Sequence, residues 1–161
     1  MWGNARNNIF VIGGDGFILH YNDNCWKVME SGISEQLTDI WGSSDNDVFA
    51  LGHNGTIFHY NGTTWKKMAT DNSLPLMDIW GSSDTNIFVT GANGAILHND
   101  GAGWSKIKSG TSSDLSNIWG NSTNRISIID DGGTILHNDG NGWSKMNSGT
   151  LEPLIGVWGN V

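Results

Sequence analysis

Residues 41–65 read WGSSDNDVFALGHNGTIFHYNGTTW, and residues 80–104 read WGSSDTNIFVTGANGAILHNDGAGW. The two stretches begin 39 residues apart, and the same spacing links Trp2-Gly3, Trp41-Gly42, Trp80-Gly81, Trp119-Gly120 and Trp158-Gly159. A second tryptophan keeps the register at Trp26, Trp65, Trp104 and Trp143, so the chain sets out as repeats 2–40, 41–79, 80–118 and 119–157 without insertion or deletion. Self-similarity at a fixed period of this order marks a repeat architecture, in which each unit buries its apolar face only against the next.

Within a repeat the pattern is strand, turn, strand, turn. With the second repeat as template, 47–52, 56–60 and 64–69, followed by 76–81, are short, rich in β-branched and aromatic residues and bounded by turn signals. His53-Asn54-Gly55 and Asn61-Gly62-Thr63 supply residues that accept the positive φ of tight hairpins, and Asp15-Gly16, Asn93-Gly94 and Gly132-Gly133 are the counterparts of the first turn. No helical period competes with this reading. The expected fold is therefore all-β: a β-propeller of four 39-residue, four-stranded blades in a single domain, 1–161. A closing strand at 154–161 is expected to complete the first blade, within one chain or across a dimer. Aromatics at fixed places in every blade predict blade-to-blade core, so Trp26, Trp41, Trp65, Trp80, Trp104, Trp119, Trp143 and Trp158 are assigned to packing.

Composition removes several classes of function. The formal net charge is −8, from 16 acidic against 8 basic residues, and no basic cluster interrupts it, so nucleic acid and anionic membranes are poor partners. No apolar run approaches a membrane span, and no signal segment precedes the first repeat; the composition suits an extracellular or cell-surface bacterial parent. The single cysteine, Cys25, leaves no intrachain disulfide and no multi-cysteine zinc site. His20, His59, His98 and His137 share a column, but on a third strand they stand whole blades apart and cannot converge on one metal, so they are expected to be hydrogen-bonded structural groups. No metal and no cofactor is expected.

The run Trp41-Gly42-Ser43-Ser44-Asp45, Val48-Phe49-Ala50-Leu51-Gly52 and Asn54-Gly55-Thr56-Ile57-Phe58-His59-Tyr60-Asn61-Gly62-Thr63-Thr64-Trp65 resembles bacterial propeller repeats related to Asp-box sialidase-type and photosystem-assembly-factor-type blades. His98-Asn99-Asp100-Gly101-Ala102-Gly103-Trp104 and His137-Asn138-Asp139-Gly140-Asn141-Gly142-Trp143 are similar to a degenerate Asp-box. The resemblance implies a propeller whose box is a structural turn on the rim. Sialidase activity would need an arginine cluster, and this chain carries only Arg6 and Arg125.

No Gly-x-Ser-x-Gly elbow, phosphate-cradling loop or metal-ligand pair is present, so no catalytic residue is assigned and the expectation is a non-enzymatic binding module. Small hydroxyl, amide and carboxylate groups beside each Trp-Gly pair make Asn4, Ser43, Ser44, Asp45, Ser82, Ser83, Asp84, Asn121 and Ser122 the candidate ligand contacts. Their chemistry suits sugar hydroxyls, which gives a lectin-like glycan reading with several weak sites acting together. The alternatives are a protein-interaction scaffold and an excised or engineered propeller fragment with no ligand of its own. For assembly, two chains forming an eight-bladed ring lead over a one-chain ring of four blades.

Overall fold

The structure, a computed structural model, describes residues 1–22, 24–122 and 125–159. It is a β-propeller of four four-stranded antiparallel blades, each a meander whose spatial order follows the chain. The first blade holds β1 (Trp2–Ala5), β2 (Asn8–Ile12), β3 (Ile18–Asn22) and β4 (Cys25–Met29). The second holds β5 (Leu37–Ser44), β6 (Asp47–Gly52), β7 (Thr56–Tyr60) and β8 (Trp65–Lys67), and the third β9 (Leu76–Ser83), β10 (Asn86–Gly91), β11 (Ala95–Asn99) and β12 (Trp104–Lys108). The fourth holds β13 (Leu115–Ser122), β14 (Arg125–Asp130), β15 (Ile135–Asn138) and β16 (Trp143–Met146). Short 3-10 turns at Gly14–Gly16 and Ala92–Gly94 join second to third strands, with Asp15 and Asn93 at φ of 53° and 54°. At Gly16 glycine is obligatory, because φ is 70° and a Cβ would stand 2.1 Å from the Ile33 carbonyl oxygen.

The core lies between blades. Phe10 and Ile18 of the first blade pack with Leu37, Ile40, Val48 and Phe58 of the second. Phe49, Leu51 and Ile57 meet Leu76, Ile79, Ile87, Val89 and Leu97 across the next joint, and Phe88 and Ile96 meet Leu115, Ile118, Ile126, Ile128 and Leu136 across the third. Both faces of an inner blade are thus apolar, which is why Ile57-Phe58 and Ile96-Leu97 run without alternation.

Each Trp-Gly pair works across a joint. The Trp41 indole lies over Gly81, where a Cβ would come within 2.6 Å of its ring carbons; Trp2 covers Gly42 in the same way and Trp80 covers Gly120. Trp41, Trp80 and Trp119 are half-buried by this seating. The second tryptophan of a blade packs backwards. Trp104 meets Phe49 edge-on at 6.3 Å and donates Nε1–H to Met68 Sδ at 3.4 Å, while Trp143 meets Phe88 at 6.1 Å. Trp65 packs against the first blade's cluster. Two of the eight tryptophans assigned to core depart from that assignment: Trp26 is 49% exposed and Trp158 is 81% exposed. The physical reason is one of partners. Among the described residues no blade stands before the first to receive Trp26, and no glycine-bearing strand follows 154–159 to lie under Trp158.

The inner strands are tied by polar bonds as well. A register shift between Leu37 and Asp39, repeated as Leu115 to Asn117, turns backbone groups of these strands out of the ladder. Asp39 Oδ2 accepts from the Ile79 N–H at 3.1 Å and Asp78 Oδ2 from the Ile118 N–H at 2.8 Å, so each carboxylate satisfies a donor of the following blade.

The C-terminal segment, expected as an inner strand that completes the first blade, packs against the fourth. β1 itself supplies the first blade's inner strand, from four residues where β5 has eight. Residues 154–159 form no strand, yet they sit on the fourth blade as the next inner strand would. Ser116 Oγ donates to the Leu154 carbonyl at 2.9 Å, as Thr38 Oγ1 does to Leu76 at 3.1 Å, and Gly159 lies beneath Trp119. Residues 160–161 of the expected strand lie outside the described residues.

Candidate functional site

The first hairpin of a blade brings the residue after Trp-Gly to one rim of the propeller, together with the end of the third strand and the start of the fourth. Of the candidate contacts, the fold joins Asn4 to Asp45: Asn4 Nδ2 donates to Asp45 Oδ1 at 2.5 Å, from the first blade to the second. The others stay one blade apart. Ser43 Oγ donates to Asp47 Oδ2, Ser82 Oγ accepts from Asn86 Nδ2 at 2.8 Å, and Ser83 Oγ meets Thr85 Oγ1 at 3.5 Å. Ser44 and Asp84 are exposed and Asn121 is half-buried. Ser122 ends β13, and its side chain lies outside the described residues.

Around Asn4 and Asp45 a cleft of about 500 Å³ opens between the first two blades, lined also by Asn8, His20, Asn22 and Tyr60. Asn8 is the hub. Its Nδ2 donates to Asn4 Oδ1 at 2.7 Å and to Asp45 Oδ1 at 2.8 Å, and its Oδ1 accepts from His20 Nε2 at 2.6 Å. Burial lowers the His20 pKa, against the pull of Asp45 and with the help of Lys27, so the ring is neutral at pH 7 and Nε2 carries the proton it donates. Asp45 Oδ2 has no partner among the described residues, and Asn22 Oδ1 is shut off from solvent with none either. The cleft therefore offers an open acceptor, Asp45 Oδ2, to a ligand's N–H or O–H group, on a carboxylate held in place by two carboxamides.

Asn8, His20, Asn22 and Tyr60 were not singled out as contacts from sequence. One signal was available for the first pair: a carboxamide or carboxylate stands twelve residues before each of the first three histidines, and His59 bonds Asp47 at 2.6 Å and His98 bonds Asn86 at 2.9 Å. The fourth blade breaks the pattern, with Arg125 in that place and Ser127 Oγ bonding His137 Nδ1 at 3.0 Å. In the first three blades the imidazole also stacks on a phenylalanine, Phe10, Phe49 or Phe88, at 4.1, 4.5 and 4.2 Å. Hydrogen bonds and stacking hold each histidine within its own blade.

The Asp-x-Gly segments are turns. Asp100 Oδ1 accepts from the Ala102 N–H at 3.0 Å and Asp139 Oδ1 from the Asn141 N–H at 2.9 Å, the geometry of an Asx turn. At the inner strands, burial and then a hydrogen bond with Asp78 push the Asp39 carboxyl up to about 7, so Asp39 takes up a proton near neutrality.

The sequence model of the AvrE-family Type-III effector proteins (T3Es) matches residues 21–155. This is not an Asp-box family, so that side of the expected resemblance has no counterpart. The solved structure of YCF48 from Cyanidioschyzon merolae is similar at a TM-score of 0.67 and 12% identity, over 89% of this chain and 57% of that one. A second structure, YCF48 bound to D1 peptide, is similar at a TM-score of 0.58 and 13% identity, over 89% of this chain and 64% of that one. At these identities the likeness is one of fold, and the chain spans less than two thirds of either structure. No curated protein matches the sequence.

Proposed function

The chain belongs to the AvrE-family Type-III effector proteins, and from that premise we propose that it is a non-enzymatic interaction module whose cleft between the first two blades holds a segment of a protein partner. The observation that carries this is the Asn4–Asn8–Asp45–His20 network, which fixes one carboxylate across a joint and leaves its second oxygen open in a cleft of about 500 Å³. A peptide brings backbone N–H groups and donor side chains to such an acceptor. The similar propeller YCF48 is itself described as bound to a peptide, which supports the reading by analogy of fold. The glycan reading stands second, because the indoles of Trp41 and Trp80 are seated on Gly81 and Gly120 and half-buried there.

Asp45→Asn tests it. Asparagine keeps an oxygen for Asn4 and Asn8 but removes the charge and the open acceptor. The wild-type protein, labelled and applied to peptide and glycan arrays, should bind peptides, and the variant should bind the same peptides about tenfold more weakly with an unchanged melting temperature. Binding confined to glycans would move the assignment to a lectin. Equal peptide binding by both proteins would remove the cleft from the proposal.

The assembly proposal is a two-chain ring of eight blades. β1 pairs no further than Trp2 with Phe10, whereas β5 continues through Ile40 with Ala50, Asp39 with Leu51 and Leu37 with Gly52. Residues 154–159 carry the residues for those missing places, Val157 opposite Val11 and Leu154 opposite Gly13.

A further inference from the structure

A second recess opens on the opposite rim, where second strands turn into third strands and the linkers between blades cross. On the third blade it is a groove of about 610 Å³, bounded by the turn at Asn93–Ala95, the end of β12 and the linker that follows. Its apolar surface comes from Leu74, Ala95 and Ile107, with Ile96 buried beneath them. Lys106 and Lys108 stand exposed on its edge, and no Asp or Glu is among its lining residues. Asp114 stands beside the groove, its Oδ1 accepting from the Asn93 N–H at 2.9 Å, and the two lysines outweigh it in a chain of net charge −8. Asn72 lines the groove too; its Nδ2 donates to the Leu74 carbonyl at 2.7 Å, while its Oδ1 is buried with no partner among the described residues.

The repeat supplies its own controls. A recess at the equivalent place on the fourth blade, about 390 Å³, has Lys145 but Asn147 where the third blade has Lys108. The second blade has Lys67 and Ala69 at these places, and the first has Val28 and Glu30. Paired lysines over an apolar floor are thus a property of one blade, although the 39-residue unit is common to all four. Lysines on an outer strand also discourage edge-to-edge pairing, a role that Lys66, Lys67 and Lys145 fill without a second cation over the groove.

We propose that this groove docks an acidic segment of a partner polypeptide that carries an apolar anchor residue. The anchor fills the space over Leu74 and Ile107, and carboxylates of the segment pair with Lys106 and Lys108. The site is independent of the Asn4–Asp45 cleft, which lies on the other rim.

Panning a random-peptide phage library against the wild-type protein tests the proposal, followed by fluorescence anisotropy of the enriched peptides. Enriched peptides should combine net negative charge with an apolar residue, and their affinity should fall as salt is raised. Lys106→Glu/Lys108→Glu should weaken them at least about tenfold, and Asp45→Asn should leave them unchanged. Lys108→Asn, which borrows the fourth blade's residue, should give a smaller loss and guards against misfolding of the double variant. Absence of acidic peptides from the enriched set would overturn the proposal. So would equal binding to wild-type and both lysine variants, loss on Asp45→Asn in place of the lysine changes, or binding to phosphatidylserine vesicles with no peptide enriched.

Discussion

At Gly81 a single hydrogen atom separates a packed joint from a broken one. A Cβ there would come within 2.6 Å of the Trp41 ring carbons, so Gly81→Ala must push the indole off the third blade, at a cost of about 1–3 kcal/mol in urea or thermal unfolding. Gly110→Ala, with φ of 78° and no atom within 4 Å of the added methyl, carries backbone strain alone and serves as the comparison. If Gly81→Ala melted no lower than Gly110→Ala, the indole would not be seated as described. Asp39 gives a second test. Its carboxyl is raised to about 7 by burial and by Asp78, so the folded state binds the proton more tightly than the unfolded chain does. The ionised form therefore costs stability fully above pH 7, and the cost disappears as pH falls toward about 4, the unfolded value. Asp39→Asn should remove that dependence and stabilise the protein above pH 7, as judged by melts from about pH 4 to 8 against the wild type. Asn117 already shows a neutral donor accommodated here, its Nδ2 bonding Asp78 Oδ2 at 3.3 Å.

At the scale of strands, equal sequence does not mean equal burial. Trp26 and Trp104 occupy the same place in their repeats, yet Trp104 packs on Phe49 and Met68 while Trp26 is 49% exposed. Trp104→Ala should cost up to about 3 kcal/mol and Trp26→Ala less than about 1 kcal/mol in thermal melts. Equal losses would mean that Trp26 is covered in solution by something that one chain does not contain. The contrast also marks what sequence could reveal. Strand, turn and blade count were legible because alternating β-rich runs and Asn-Gly turns are local signals, read without knowing a neighbour. The burial of Trp26 and Trp158 was not, since a column of identical residues says nothing of whether a blade stands beside it. The cleft was half legible for the same reason. Asn4 and Asp45 follow their Trp-Gly pairs in sequence, but Asn8, on the second strand of the first blade, reaches Asp45 only through a bond that crosses from one sheet to the next. Asp39 and Asp78 passed unnoticed because their partners are backbone N–H groups of the following blade, which leave no mark in composition.

At the scale of the whole molecule the prediction concerns assembly. If residues 154–161 complete the first blade of a second copy, sedimentation of the wild type should give the mass of two chains, and deletion of 154–161 should leave open species with an exposed edge on β2. A single-chain mass for the wild type would exclude the eight-bladed ring. The seating of each indole on the following blade's glycine, Trp2 on Gly42, Trp41 on Gly81, Trp80 on Gly120 and Trp119 on Gly159, has a further consequence. Such a joint is heterologous: its two sides differ, and every sheet presents one of each. A contact of that kind contains no instruction to stop. Whether the succession ends in a ring or runs on as a helix is decided by the rotation from sheet to sheet, so a substitution that tilts one joint by a few degrees could change how many blades close the circle while leaving the chemistry of every blade intact.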